Sequence, residues 1–276
     1  MEVDVVIPTV RSDSVQWVLY SLSKNTVKPD LVTIVSNDIG KDLPCYGLKV
    51  RLVQFNSTHY PIGQLDVALR RNVGIWSSPC SHIITFDDDQ LAPHNMIRES
   101  VELLKKQSYF WGHHRYIDFS NHSVDEIILM APEKGRSREK TVNAWHYWYS
   151  CYGGLFGAER TLVQELGGFD MAFSGRHGGE DQNLGRRLIR AIDHSNKVFI
   201  HEPPFAWHPE KKIPYSPSSS NLCSSKHQIS RFSHDGLDLE KCDLCPYFKV
   251  LNNIVDSDNI IMRFDPKNVE ITEFII

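Results

Sequence analysis

Short apolar runs alternate along the chain with longer stretches of helical period. Val3 to Ile7 is an apolar run stopped by Pro8, and Val15, Val18, Leu19 and Leu22 then recur at three-to-four spacing, which predicts a strand feeding a helix. Leu31 to Val35 repeats the strand signal and ends at Asn37 and Asp38, and Val50 to Phe55 supplies another β-rich run before a predicted helix from Leu65 to Ile75. His82 to Phe86 is the next apolar strand, closed by Asp87, Asp88 and Asp89, and Pro93 opens a helix reaching about Lys105. The pattern weakens from about residue 110 to Tyr149, a stretch rich in charge, histidine and aromatics. Order returns with a strand from Leu155 to Ala158, a helix from Glu159 to Leu166 ended by Gly167 and Gly168, and a second helix from Glu180 to Ala191.

Strands alternating with helices imply an α/β fold with a mostly parallel central sheet and helices on both faces. In such sheets ligands sit beyond the carboxyl ends of the strands, where Asp38 and the three consecutive aspartates fall. Beyond Trp207 the chain turns polar, and Pro214, Pro217 and a serine run mark a linker. One main domain over residues 1–212 and a C-terminal extension over 213–276 are expected.

Composition narrows the function classes. With 41% hydrophobic residues among 276, the chain can bury a sizeable core. The 34 acidic and 30 basic residues give a net charge of −4, and no long basic run offers a footprint for a nucleic acid polymer. The start of the chain carries Asp4 inside a strand pattern and lacks the build of a signal peptide, and no apolar run approaches a membrane span. A cytoplasmic location is expected, with peripheral attachment to a membrane left open. Six cysteines over this length do not suggest a disulfide scaffold.

Three adjacent carboxylates at a strand end repel one another unless a cation or hydrogen-bond donors compensate them. Magnesium or manganese, held by one or two carboxylates plus substrate phosphates, would do so; an acidic helix N-terminus is the alternative. The aspartate run lacks the glycine and later oxygen ligands of an EF-hand, and no Walker-type loop is present. A second constellation, Gly178, Gly179, Glu180 and Asp181, opens the helix that carries Arg186 and Arg187. Glycines there allow close backbone approach to a ligand, and acids suit the positive helix end; simple capping explains the same residues.

Together these segments resemble the family 2 glycosyltransferases, which share the GT-A fold, over about residues 3 to 210. Val5-Val6-Ile7-Pro8-Thr9 is similar to the family's opening strand, Ser36-Asn37-Asp38 to its second strand end, and Arg71-Asn72-Val73-Gly74 to its arginine-asparagine-any-glycine signature. Phe86-Asp87-Asp88-Asp89 resembles its Asp-x-Asp motif, and Gly179-Glu180-Asp181 its glutamate-aspartate pair. The resemblance implies donor contacts from Pro8, Thr9, Asp38, Arg71, Asn72, Asp87 and Asp88, with Asp38 at the base and Asp87 near the ribose. It also implies a Mn2+ or Mg2+ ion on Asp89 and His208, and Asp181 as the base of an inverting transfer, with Glu180 orienting the acceptor. A uridine nucleotide-sugar is the default donor, and a hydroxyl on a glycan or glycoconjugate the acceptor. Asn37 departs from the commoner aspartate at its position, which loosens the expectation about the base. A sugar-phosphate nucleotidylyltransferase would need a glycine-rich basic loop that Val6 to Ser12 lacks. An inactive carbohydrate-binding scaffold is the remaining alternative, and intact Asp181 weighs against it.

Trp145 and Trp148, just before Gly153 and Gly154, form part of an aromatic cluster that could face an acceptor sugar or fill a core. In the tail, Cys223, His227, Cys242 and Cys245 form Cys-x3-His and Cys-x2-Cys pairs with fourteen residues between His227 and Cys242. Such soft ligands in a core-poor segment suit tetrahedral structural zinc, with His234 able to replace His227; reduced cysteines serving as small apolar residues are the alternative. Metal analysis of the purified protein is expected to find one zinc per chain, lost in a Cys242→Ser, Cys245→Ser variant. A metal-free protein whose tail resists protease would reject the zinc site.

Overall fold

A computed structural model describes residues 1–10, 12–60, 66–134, 136–137, 154–173, 180–192, 200–209 and 262–276. The strands are β1 (Val3–Pro8), β2 (Leu31–Val35), β3 (Val50–Asn56), β4 (His82–Phe86), β5 (Tyr109–Ile117), β6 (Arg136–Ser137), β7 (Leu155–Glu159), β8 (Ile200–Pro209) and β9 (Glu270–Ile275). The helices are α1 (Ser12–Ser23), α2 (Val67–Ser77), α3 (Met96–Leu104), α4 (Val124–Leu129), α5 (Arg160–Glu165) and α6 (Glu180–Ile192). None among the described residues is long and apolar enough to cross a membrane.

All strands join one sheet in the order β6-β5-β7-β4-β1-β2-β3-β9, with β8 paired to β5. The central four, β3-β2-β1-β4, are parallel throughout, whereas β7 and β9 flank them antiparallel. Strand alternation decides which side each residue serves. Val6, Val35 and Val53 pack with Leu69 and Val73 of α2, Val163 of α5 and Leu184 and Leu188 of α6. Val5, Ile7, Val32 and Ile34 pack instead with Val15, Val18, Leu19 and Leu22 of α1 and Met96 and Ile97 of α3. Helices therefore cover both faces, which is why β1 and β2 are apolar along most of their length and buried throughout.

One glycine sets how close α2 lies to the sheet. A side chain at Gly74 would collide with Val6 and come within 2.9 Å of Val35, so α2 approaches β1 and β2 more tightly than any other residue allows.

Among the described residues, β5, β6, β8, β9 and α4 escaped the sequence pattern. β5 begins with the buried Tyr109, Phe110 and Trp111 but continues through half-buried His113, His114 and Arg115, so neither alternation nor a continuous apolar run marks it. α4 did carry a readable signal: Ser123 caps the Glu126 amide while the Glu126 carboxylate accepts from Ser123 N–H. β9 falls within the stretch expected as a C-terminal extension. The described residues 262–276 belong to the same compact unit as β3, because β9 pairs antiparallel with it and covers an edge otherwise left with unpaired backbone groups. The rest of the expected extension, with Cys223, His227, His234, Cys242 and Cys245, lies outside the described residues.

Under the sheet's amino end, Asp4 and Arg51 form a buried ionic cluster, 0% and 4% exposed. Thr33 donates to Asp4 Oδ2 at 2.7 Å, Arg51 Nη2 lies 3.5 Å from the same oxygen, and Arg51 Nη1 donates to the Ser77 carbonyl at 2.7 Å. Burial raises the Asp4 pKa despite the lowering effect of hydrogen bonds from Ser78 and Thr33 and of the Arg51 charge. Removing one member strands the other without solvent, so Arg51→Met is expected to lower stability by about 3–5 kcal/mol, with the Asp4→Val, Arg51→Met double variant recovering most of it. Urea unfolding with an unchanged slope checks both values.

Candidate active site

From β1 the chain moves outward through β2 and β3, then returns to the other side of β1 as β4. The carboxyl ends of β1 and β4 therefore border a crevice where the direction of winding reverses. Pro8 closes β1, and Thr9 after it donates to Asp88 Oδ2 at 2.5 Å. Both side chains are buried, so this bond ties the two strand ends together.

Arg71 crosses the crevice from α2. Its Nη2 donates to Asp87 Oδ1 at 2.8 Å, its Nη1 donates to Glu180 Oε1 at 3.0 Å, and the guanidinium lies 5.2 Å from the centre of the Phe169 ring. Burial by itself would lower the Arg71 pKa, but the charges of Asp87, Glu180 and Asp181 outweigh it and hold the group above its ordinary value. Burial likewise opposes ionisation of Asp87, and the Arg71 charge, followed by His114, brings its carboxyl below the usual range. Arg71 thus pairs with two carboxylates from distant parts of the chain, and its charge favours the ionised form of Asp87.

Glu180 and Asp181 sit in the first turn of α6, 7% and 9% exposed. Glu180 Oε2 has no hydrogen-bond partner among the described residues, and Asp181 Oδ1 accepts from the Gln182 amide at 2.8 Å. The helix is anchored by Arg187, whose Nη1 and Nη2 donate to the Leu166 and Gly168 carbonyls at 2.6 and 2.5 Å and whose Nε donates to Asn183. Burial pushes the Arg187 guanidinium down to about 10. Gly178 and Gly179 lie outside the described residues, as do Trp145, Trp148 and Gly153.

Asn72 departs from the expected donor contact. It is 0% exposed; its amide nitrogen donates to the Phe169 carbonyl at 2.7 Å, and its oxygen accepts from the Phe169 N–H at 2.8 Å. Both ends are consumed by backbone, so the residue clamps the turn after α5 to α2. Gly168, at φ +72°, completes the fit, since a side chain there would strike Asn72 and Trp76.

Asp38 stands at the rim, 58% exposed at its side chain and 3.7 Å from Arg70. Arg70 itself is held by Asp66 at 2.6 Å and the Thr9 carbonyl at 2.9 Å. Asn37 accepts from the Phe55 N–H at 2.8 Å and ties the end of β2 to β3.

On the opposite wall, Leu91 and Trp207 exchange backbone hydrogen bonds of 2.9 Å, which brings β8 to the strand end after β4. His208 Nε2 then lies 3.5 Å from Asp89 Oδ1. His208 Nδ1 is 2.9 Å from the Pro209 carbonyl, an acceptor only, so Nδ1 carries a proton and Nε2 is the ring nitrogen directed at Asp89. A carboxylate oxygen facing an imidazole nitrogen is a donor set that suits a divalent cation, and a carbonyl partner on Nδ1 is the usual outer support of a metal-binding histidine. Among the described residues no group of three or more His, Cys, Asp or Glu side chains gathers into a complete site. Two protein ligands fit an ion whose remaining ligands are phosphate oxygens and water.

His114 and Gln90 also belong to this wall, and sequence reasoning missed both. His114 comes from the unrecognised β5, its ring 6.1 Å from that of His208. Gln90 follows the aspartates but has no motif signature. Gly154, which opens β7, accepts from the Asp87 N–H at 3.2 Å.

No protein-family model matches the chain, and no curated protein does. Solved structures do. S. aureus TarS residues 1–349 in complex with UDP superposes with a TM-score of 0.53 at 13% identity, covering 76% of this chain and 60% of that one. The UDP-GlcNAc complex of the same protein gives 0.52 at 15% identity, covering 79% and 62%. The mannosyltransferase PcManGT from Pyrobaculum calidifontis, in complex with GDP-Man and Mn2+, gives 0.50 at 15% identity, covering 78% and 58%. The chain thus spans about 60% of the length of these structures. The likeness shows the expected fold: a GT-A type α/β architecture.

Because the Asn72 amide serves the backbone, Asn72→Ala is expected to lower stability by about 1–3 kcal/mol by stranding buried polar groups. Urea unfolding measures that loss; full stability with weakened nucleotide binding would instead restore a direct donor contact.

Proposed function

We propose that the protein transfers a glycosyl group from a nucleotide-diphosphate sugar to a hydroxyl acceptor. The observation that carries this reading is the Arg71 bridge, which sets Asp87 at the end of β4 against Glu180 and Asp181 at the start of α6 in the switch-point crevice. The crevice has a strand-end carboxylate pair on one wall, an acidic helix start on the other, and an arginine between them. A uridine nucleotide is the proposed donor base, with Asp38 at the rim reaching it.

In the reaction, the acceptor oxygen forms a bond to the anomeric carbon while the bond from that carbon to the diphosphate oxygen breaks. The electron pair leaves with the nucleoside diphosphate, and the hydroxyl proton passes to the Asp181 carboxylate. Attack from the face opposite the leaving group inverts the anomeric centre. Glu180, fixed through one oxygen by Arg71, orients the acceptor with the other. Asp89 and His208 would hold Mn2+ or Mg2+, which when bound supplies positive charge to the diphosphate. Asp87, kept ionised by Arg71, accepts from the donor ribose, and Thr9 and Asp88 hold the strand ends at the spacing that the donor needs.

Asp181→Asn keeps size and capping ability but removes the proton acceptor. Transfer is expected to fall by about 10²–10⁴ while donor affinity survives, as measured by single-turnover transfer and by calorimetry. Near-normal transfer in a folded, donor-binding variant would show that Asp181 is not the base. In the same assays Asp89→Ala is expected to abolish the manganese dependence of donor binding.

A further inference from the structure

The turn after α5 is gripped from three directions. α6 takes its Leu166 and Gly168 carbonyls through Arg187, and α2 takes both backbone groups of Phe169 through Asn72. The stretch ahead of β9 takes a third set. Arg263 Nη1 donates to the Glu165 carbonyl at 3.2 Å, Met262 N–H donates to Asp170 Oδ1 at 3.0 Å, and the Met262 carbonyl accepts from Met171 N–H at 2.9 Å. Asp170 is 0% exposed, and the same carboxylate oxygen accepts from Ala172 N–H at 2.9 Å. Burial lowers the Arg187 pKa; the Asp170 charge opposes that shift and the Arg263 charge adds to it, so charged groups from the turn, α6 and the C-terminal stretch meet at this joint.

Between Met262 and β9 the stretch is fastened along the segment that follows β3. Phe264, 3% exposed, stacks on Tyr60 with ring centres 5.8 Å apart and meets Trp76 of α2 edge-on at 5.0 Å. Tyr60 Oη accepts from Asp265 N–H at 2.9 Å and donates to the Arg263 carbonyl at 3.4 Å, and Ser57 Oγ donates to the Asn268 carbonyl at 2.7 Å. Covering the edge of β3 requires β9 alone. The bonds that Met262 makes to Asp170 and Met171 serve instead the turn on which α6 is seated.

We propose that Met262–Val269 is a strap that positions α6, with Asp170 as the positioning residue through which it acts. The inference rests on the glycosyl-transfer reading for its catalytic meaning, which is the placement of Glu180 and Asp181 against Arg71. Tyr60 and β9 hold the strap, the strap holds Asp170 and Met171, and the same turn holds Arg187. The proposed donor and metal groups at the end of β4 and on β8 are carried by other elements, so a loosened strap acts on transfer and spares donor binding.

The test is a double-mutant cycle between Tyr60 and Asp170, which the strap joins. Tyr60→Phe keeps the stack on Phe264 and removes the hydroxyl from Arg263 and Asp265. Asp170→Ala removes the acceptor of Met262 N–H, and Asp170→Asn restores an oxygen in its place. The reaction read is single-turnover release of UDP from UDP-GlcNAc, or of GDP from GDP-mannose, by the whole chain with manganese and with water as acceptor. Release is expected to fall about tenfold in Asp170→Ala, as displaced acids would cause, and by less in Tyr60→Phe. It should recover in Asp170→Asn and fall no further in the Tyr60→Phe, Asp170→Ala double variant than in Asp170→Ala, while calorimetric affinity for the nucleotide-sugar holds throughout. Hydrogen exchange reads the strap without catalysis: in Tyr60→Phe the α6 amides should exchange faster while those of α1 keep the wild-type rate. Losses that add in the double variant, or exchange that rises equally in α1 and α6, would reduce the strap to general stability and overturn the inference. A wild type that releases nucleotide from neither donor would reject the transfer reading, and α6 exchange would then decide the strap by itself.

Discussion

The crevice depends on one buried cation. Arg71 lies between the carboxylate that ends β4 and the carboxylate that begins α6, and both bonds are at most 3.0 Å long. Without it, Asp87, Glu180 and Asp181 would repel one another where water offers little screening, and a buried charge left alone costs several kcal/mol. Arginine suits the position better than lysine, because its planar fork presents separate N–H groups to two partners and its face lies against Phe169. The arrangement of acids in the site is therefore a consequence of where α2 is held.

What holds α2 is the rest of its short motif. Gly74 lets the helix settle onto Val6 and Val35, Asn72 clamps it to the backbone of Phe169, and Arg71 then projects into the crevice. Arg70, one residue earlier, braces the Thr9 carbonyl and approaches Asp38. Four neighbouring residues thus divide into one that meets the site's acids and three that fix its position.

The opposite wall is built differently. There β8 returns beside β5, and the Leu91 and Trp207 bridge carries His208 to Asp89. This wall sets the Asp89 carboxylate against the His208 ring and holds, at Gln90, an amide without a partner among the described residues. One wall is internally compensated by arginine, and the other sets a carboxylate against an imidazole where a divalent cation would be held.

The parallel centre of the sheet was legible in the chain itself, because strands buried on both faces are nearly continuous apolar runs, and the loops that follow them carry the polar chemistry. The positions of Asp38 and the three aspartates were legible for the same reason, and the Glu180, Asp181 pair as the acidic first turn of a helix. Their division of labour was not. Thr9 meets Asp88 across 79 residues, Arg71 meets Glu180 across 109, and Asn72 meets Phe169 across 97. Side-chain partners at such separations leave no periodicity, so Asn72 resembled a ligand contact until the fold gave it a backbone to hold. β9 also lay beyond reach of local pattern, since its place is defined by the open edge of β3 some two hundred residues earlier. Local burial and turn chemistry are encoded within a few residues of one another. Which of three adjacent carboxylates ties strands, meets arginine or faces histidine is decided only when distant segments exclude water from the same small volume.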